Sequence, residues 1–280
     1  MNQRPESMEF GLGEVGGGRE HDCIIQWQNV SKVFAKDGKP IEAVADVSVN
    51  IRRGEFISIV GPSGCGKSTL LNMTAGTMPI NGGVITYNGE PVDAVNTRVG
   101  YMTQKDNLLP WRTVKGNVAL PLEIQGVPKA RREERVREQI DRVGLSGFEN
   151  HYPRELSGGM RKRVALIRTL IYGPETLLMD EPFGALDSQL KLILQDELLR
   201  IWGDSGQTII FVTHDLHEAI ALSDRVVVLS RRPARVKMIA DVPLSRPRNV
   251  FDLSFNKETA ELQRHLWEAL REDIRHGEDV

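Results

Sequence analysis

Three short segments of this 280-residue chain hold residue types at spacings that could do phosphoryl chemistry. The first, Gly61-Pro62-Ser63-Gly64-Cys65-Gly66-Lys67-Ser68-Thr69, fits G-x-x-x-x-G-K-[ST]. Glycines let backbone N–H groups close around phosphate oxygens, and the helix that follows adds partial positive charge at its N-terminus. Lys67 then reaches the β- and γ-phosphates, and the Ser68 hydroxyl can ligate Mg²⁺. The alternative is a glycine turn that matches by accident. At an average glycine content of roughly 7%, chance delivers such a match on the order of 1% of the time. The apolar lead-in Phe56–Val60 lowers that further. Cys65 reads as a small residue filling an open position rather than a redox switch, since no neighbour marks it as reactive.

The second segment, Thr176-Leu177-Leu178-Met179-Asp180-Glu181-Pro182, is an apolar run ending in two carboxylates. Alone, such a pair is usually a solvated turn. In a chain with a phosphate loop, one acid must hold Mg²⁺ or its waters, and a second can polarise the attacking water. Asp180 is assigned to the metal and Glu181 to the water. The third segment, Leu156-Ser157-Gly158-Gly159-Met160, opens a helix. Ser157 suits an N-cap, and the glycines leave backbone N–H groups open. This is a second anion cradle in a chain with one phosphate loop. It either serves nothing or completes a site on another copy of the chain. Arg161, Lys162 and Arg163 behind it read as a solvated helix face in preference to a nucleic-acid patch.

The elements that must position these segments alternate. Ile24–Val30, Ala43–Ile51 and Phe56–Val60 read as strands, with a turn at Lys36–Lys39, and Val84–Tyr87 and Val99–Met102 as shorter ones. Thr113–Ile124 and Ala130–Val143 have helical periodicity, with Pro121, Gly126 and Pro128 as kinks or breaks. Then follow helix Gly158–Ile171, strand Thr176–Met179, helix Ser188–Ile201, strand Thr208–Thr213, helix Asp215–Leu222 and strand Arg225–Leu229. Such alternation implies parallel βαβ units. Val236–Val242 reads as an edge strand. In the final helix Lys257–Arg275, Leu262, Leu266, Leu270 and Ile274 share one face.

Net charge is −2, which argues against a chain built to neutralise phosphate backbones. No apolar run approaches the roughly 18 residues needed to cross a bilayer. The first twenty residues mix charges with five glycines, and show no signal peptide. Two cysteines, Cys23 and Cys65, fit a reducing compartment.

Gly61–Ser68, Gln104, Leu156–Gly159, Leu178–Glu181, Ala185–Asp187 and His214 resemble, in order and spacing, the nucleotide-binding subunits of ABC transporters. The resemblance covers about residues 24–245. It implies an α/β P-loop cassette: a mainly parallel sheet core, an antiparallel β subdomain and an inserted helical subdomain. The expected organisation is a disordered tail over 1–22, an ATP-binding domain over 23–245 with its helical part at about 105–172, and a C-terminal helical tail over 246–280. By the same resemblance, Phe34 stacks on adenine and Gln104 touches Mg²⁺ and reports to a membrane partner. Ser157 and Gly159 contact the γ-phosphate of the ATP held by a second copy. Asp187 lies at that dimer interface, and His214 is the switch histidine. A His214/His217 metal pair is the alternative, but no third ligand is evident. Met160 stands where the family usually has Gln, and Phe34 where Tyr is commoner.

Gln104-Lys-Asp-Asn-Leu-Leu-Pro-Trp111-Arg-Thr-Val114 and the Arg231–Arg235 segment resemble the ATPases of nitrate, sulfonate and taurine importers. That implies an ATP-hydrolysing importer subunit on the cytoplasmic face of the inner membrane, serving a small anionic solute. Its partners are two permease subunits and a separate solute-binding protein. Leu108, Leu109 and Trp111 are expected to form an apolar docking surface for the permease, rather than core of the helical insert. A lipid-transport ATPase is the nearest rival. An ABC ATPase acting on DNA is a further one, disfavoured because no sustained heptad run is present.

Overall fold

The computed structural model describes residues 23–184, 186–253 and 256–275, and no side chain at 274 or 275. The expected tail over 1–22, Ala185, the side chain of Ile274 and the final residues 276–280 lie outside the described residues. In chain order the elements are β1 (Cys23–Lys36), β2 (Lys39–Arg52), β3 (Phe56–Val60), α1 (Lys67–Thr74), β4 (Gly82–Tyr87), β5 (Glu90–Pro91) and β6 (Val99–Met102). Then come α2 (Val114–Ile124), α3 (Lys129–Arg142), α4 (Gly158–Leu170), β7 (Thr176–Asp180), α5 (Ser188–Ser205), β8 (Thr208–Val212), α6 (Leu216–Leu222), β9 (Arg225–Leu229), β10 (Val236–Asp241) and α7 (Lys257–Arg275).

These strands make two sheets. An antiparallel sheet has the order β2-β1-β4-β5, and a six-stranded sheet has the order β10-β9-β3-β8-β7-β6. In the larger sheet every pairing is parallel except β9 with β10. Its central strands β3, β7 and β8 are buried at every residue, which is why they read as unbroken apolar runs. The pleat divides their side chains between two cores. Phe56, Val60, Leu177, Met179, Ile209 and Phe211 join the helical side, with residues of α2 to α7. Ile57, Ile59, Leu178, Ile210 and Val212 join the other side, with α1 and the antiparallel sheet. The site-bearing sheet is therefore held from both faces.

Three departures from the sequence reading have local causes. Strand β1 runs past Val30 to Lys36, because register shifts at Trp27/Val30 and Val30/Lys32 absorb its irregular alternation while it pairs with β2. The hairpin β4–β5 was not expected, although Asn88-Gly89 marks it: φ is +51° and +80° there, the mirror-image turn that Asn-Gly favours. Helix α2 passes through Pro121 and stops at Gly126, where φ is +71°.

The C-terminal segment packs onto the fold. Leu262, Leu266 and Leu270 of α7 enter the same core as Ala219 and Ile220 of α6 and Val226 and Val228 of β9. Leu266 is fully buried. Leu266→Ala is expected to destabilise the chain by about 2–5 kcal/mol in urea unfolding, the range for an aliphatic truncation that leaves a cavity. A loss near zero would mean that α7 contributes nothing to this core.

Candidate functional site

Four parallel strands end at one edge of the sheet, and each releases a loop that brings chemistry there. From β3 comes the phosphate loop, from β6 the loop holding Gln104, from β7 Glu181, and from β8 His214. Pairing fixes their relative heights: Asp180 lies opposite Val212, Ile59 opposite Val212, and Met102 opposite Met179. The loops surround a cleft of about 440 Å³. Ser63, Gly64 and Gly66–Thr69 line one side, and Gln104, Glu181, His214 and Arg232 the rest.

The phosphate loop has the conformation its glycines allow. Gly66, the residue before α1, has φ +129°, and a side chain there would come within 3.0 Å of the Ala43 carbonyl. Lys67 is buried, and its Nζ donates to the carbonyls of Gly61 (2.8 Å) and Pro62 (2.9 Å). Cys65 is also buried, which pushes its thiol pKa up and fits a filler rather than a reactive group.

Ser68, at the start of α1, is close enough to the Asp180 carboxylate to favour its ionised form. Burial pushes the Asp180 carboxyl above its usual range, and nearby Glu181 adds to this, while Ser68, Lys67 and Lys162 oppose it. Asp180 Oδ1 is buried with no hydrogen-bond partner. An acceptor in that state costs about 1–3 kcal/mol unless a ligand satisfies it. A buried carboxylate oxygen beside a hydroxyl is the hard oxygen set that suits Mg²⁺, so these residues fit the ion. Glu181 is shared: Gln104 Nε2 donates to its Oε2 (3.2 Å), and His214 Nδ1 lies 3.5 Å from its Oε1. Its backbone sits at φ +47°, a strained position for a side-chain-bearing residue.

The remaining expected residues lie elsewhere. Phe34 is on β1, with Lys32 Nζ 5.4 Å from its ring centroid, and does not line the cleft. Ser157 caps α4 by accepting from Met160 N (3.2 Å), and neither it, Gly158 nor Gly159 lines the cleft. A side chain at Gly159 would meet Leu190 at 3.0 Å, so α5 crowds this helix start. Asp187 caps α5. Met160 packs against the core. Leu108 is itself core, 8% exposed, so it is no part of an outer apolar surface.

The solvated face expected for Arg161, Lys162 and Arg163 is also corrected. Arg161 pairs with Asp106 at 3.1 Å, and Arg163 donates to Val143 O at 2.8 Å. Lys162 is 8% exposed and donates to the Gln104 carbonyl. Burial lowers the Lys162 pKa, against the pull of Asp106, Asp180 and Glu181. The reason is tertiary: α4 runs alongside the Gln104 loop, and the loop's carbonyls need donors. Arg168 supplies two more, to Asp106 O and Asn107 O.

A second network was missed. Glu218, buried in α6, accepts from Thr213 Oγ1 (2.5 Å) and Gln195 Nε2 (3.2 Å) and pairs with Lys191 (2.8 Å). Asp215 caps α6 directly after His214 and also pairs with Lys191 (3.2 Å). The spacing Asp215-x-x-Glu218 is a capping signal that could have pointed to it.

Comparison with known proteins agrees with this geometry. A family model described as ABC transporter matches residues 44–184. An uncharacterized ABC transporter ATP-binding protein of Methanocaldococcus jannaschii is 45% identical over 82% of this chain and 86% of its own length. The chain belongs to the ABC transporter family. Other relatives are the aliphatic sulfonates import ATP-binding protein of Bacillus thuringiensis subsp. konkukian, 41% identical over 83% of this chain and 92% of its own, and the taurine import ATP-binding protein of Yersinia pestis bv. Antiqua, 45% identical over 74% and 81%. A solved dimeric ATP-binding cassette, in a post-hydrolysis state with ADP and Pi, is 30% identical with a TM-score of 0.73, covering 79% of this chain and all of that one.

As an ABC ATPase, the chain binds and hydrolyses ATP. The raised Asp180 pKa means that its ionised form weakens the fold as pH rises through that value. Asp180→Asn is therefore expected to melt higher than wild type at pH 7 without nucleotide. The gap should close as pH falls into the acid range, where the wild-type carboxyl is neutral too. Thermal melts across pH, with equal curves throughout, would contradict this.

Proposed function

We propose that this chain energises uptake of a small anionic solute, of the sulfonate or taurine kind, through two permease subunits fed by a separate solute-binding protein. It is the ATPase subunit of an ABC importer. One observation supports the catalytic reading most: Gln104 and His214 converge on Glu181 beside the phosphate loop.

In this reading Lys67 and the loop N–H groups hold the β- and γ-phosphates. Ser68, Asp180 and Gln104 would hold Mg²⁺, which would neutralise charge on the phosphates. Glu181 accepts a proton from the attacking water, and Gln104 and His214 orient its two carboxylate oxygens. His214 also meets the γ-phosphate. Ser157, Gly158 and Gly159 act on a second copy, since they lie outside this chain's own cleft. Two copies arranged head to tail then complete two sites, with Asp187 at the shared face and Phe34 on the adenine. Among the described residues no helix is long and apolar enough to cross a membrane. In this reading the chain sits at the cytoplasmic face of the membrane, against its permease partners.

A second cleft, about 580 Å³, suits the permease. Leu109, Leu120, Ile124 and Val95 give it an apolar lining, and Ile124 is 78% exposed. Trp111, 71% exposed, lies on the neighbouring loop, which buried Asn117 pins by bonding Leu109 N (2.7 Å), Leu109 O (3.1 Å) and Arg112 O (2.9 Å). The proposed docking surface is thus Leu109 and Trp111 without Leu108.

Glu181→Gln is expected to keep ATP binding and lower turnover by roughly 10²-fold or more, the range for a lost general base. Light scattering should find an ATP-trapped dimer; wild-type turnover without one contradicts both roles. Ile124→Asp is expected to leave ATP binding by the isolated subunit unchanged while weakening co-purification with the permease. Normal assembly would place docking elsewhere.

A further inference from the structure

The loop 230–235, between β9 and β10, touches both the phosphate loop and helix α7. On the phosphate side, Ala234 N–H donates to Ala43 O (2.9 Å) and Ala45 N–H to Ala234 O (3.0 Å), which ties the loop to β2. A side chain at Gly66 would lie 3.4 Å from Ala234 Cβ, so the loop walls the phosphate loop closely. Arg232 projects from this wall. Its Nη2 donates to Gly64 O (3.0 Å), and it lines the same cleft as Lys67 and Ser68. Its other guanidinium N–H groups have no partner among the described residues.

On the other side, one carboxylate of α7 grips the loop's flanks. Arg231 N–H donates to Asp273 Oδ1 (3.1 Å), and Lys237 Nζ donates to Asp273 Oδ2 (2.6 Å) and to Ala269 O (2.8 Å). Asp273 is largely buried, and its helix is anchored in the core by Leu266 and Leu270. The residue before Arg232 is thus pinned to a rigid element.

We propose that Arg232 is a further nucleotide-contacting residue, meeting the phosphates of the bound nucleotide, and that Asp273 on α7 is the positioning residue that holds it there. The inference rests on the cleft being the ATP site. A guanidinium already aimed at the phosphate loop, with spare donors in a planar fork, matches phosphate oxygens better than any other group. The C-terminal segment then adjusts nucleotide affinity from outside the cleft.

The test is ATP affinity of the full-length chain, by fluorescent-nucleotide displacement, for Arg232→Gln, Arg232→Lys, Asp273→Ala, the double variant Arg232→Gln/Asp273→Ala, and Lys67→Ala. Arg232→Gln is expected to raise the ATP Kd by about 5- to 10-fold, a partly exposed charge-assisted contact, with the loss shrinking as salt rises. Arg232→Lys should recover part of it. Asp273→Ala should raise the Kd by about 2- to 5-fold, and add nothing in the Arg232→Gln background, as expected for residues acting through one contact. Should Asp273→Ala lower the thermal midpoint sharply, Asp273→Asn, which keeps the side-chain shape but replaces the charged acceptor shared by Arg231 N–H and Lys237 with a single neutral one, takes its part in the cycle. If Lys67→Ala abolishes binding while Arg232→Gln matches wild type, the Arg232 contact is wrong and the ATP site stands. If Asp273→Ala costs as much in the Arg232→Gln background as alone, α7 does not act through Arg232. If Lys67→Ala binds ATP normally, the reading of the cleft itself falls.

Discussion

Parallel pairing of β3, β6, β7 and β8 is the constraint on which everything else depends. In a parallel sheet all carboxyl ends lie on one edge, so loops far apart in sequence leave the sheet side by side. The register sets their heights to within a residue: Glu181 N–H donates to Val212 O (2.9 Å) and Thr213 N–H to Ile59 O (3.2 Å), continuing the ladder into the site. A slip of one residue in β7 would turn Asp180 away from Ser68 and put Leu177 and Met179 on the wrong core. The apolar core therefore specifies the geometry of the polar site.

That polar site is held under electrostatic tension. Two carboxylates are adjacent at the end of a buried strand, one with an orphan oxygen and the other in a strained backbone conformation. The structure tolerates this because cations surround it: Lys67 in the loop, and Lys162 reaching from α4 to the Gln104 carbonyl. Below His214, the Lys191–Asp215–Glu218 group fixes the start of α6, so the exposed histidine stands on a rigid base. The arrangement presents fixed donors and charges to a polyanion before any arrives.

Helix α4 and helix α7 connect this edge to the rest of the molecule by the same device, side chains that grip backbone. Through Arg161, Lys162 and Arg168, the helix behind Ser157 holds the loop after β6. Through Asp273, the C-terminal helix holds the loop beside Gly66. Each helix thereby buttresses a wall of the cleft.

The sequence by itself determined the local chemistry. Gly66, Lys67 and Ser68 are legible because a phosphate loop needs those residue types at fixed spacing, and the central strands because burial on both faces leaves unbroken apolar runs. Helix starts at Ser157, Asp187 and Asp215 follow from side chains that cap nearby N–H groups. Tertiary structure alone decided the rest. Lys162 sits in a string of basic residues that looks solvated, and only the packing of α4 on the Gln104 loop buries it. Leu108 and Leu109 are chemically alike, yet one is core and the other lines a cleft. Arg232 meets Gly64 across 168 positions of chain, and Asp273 meets Arg231 across 42. Such contacts have no signature in spacing, because folding, not sequence distance, sets which groups share a neighbourhood.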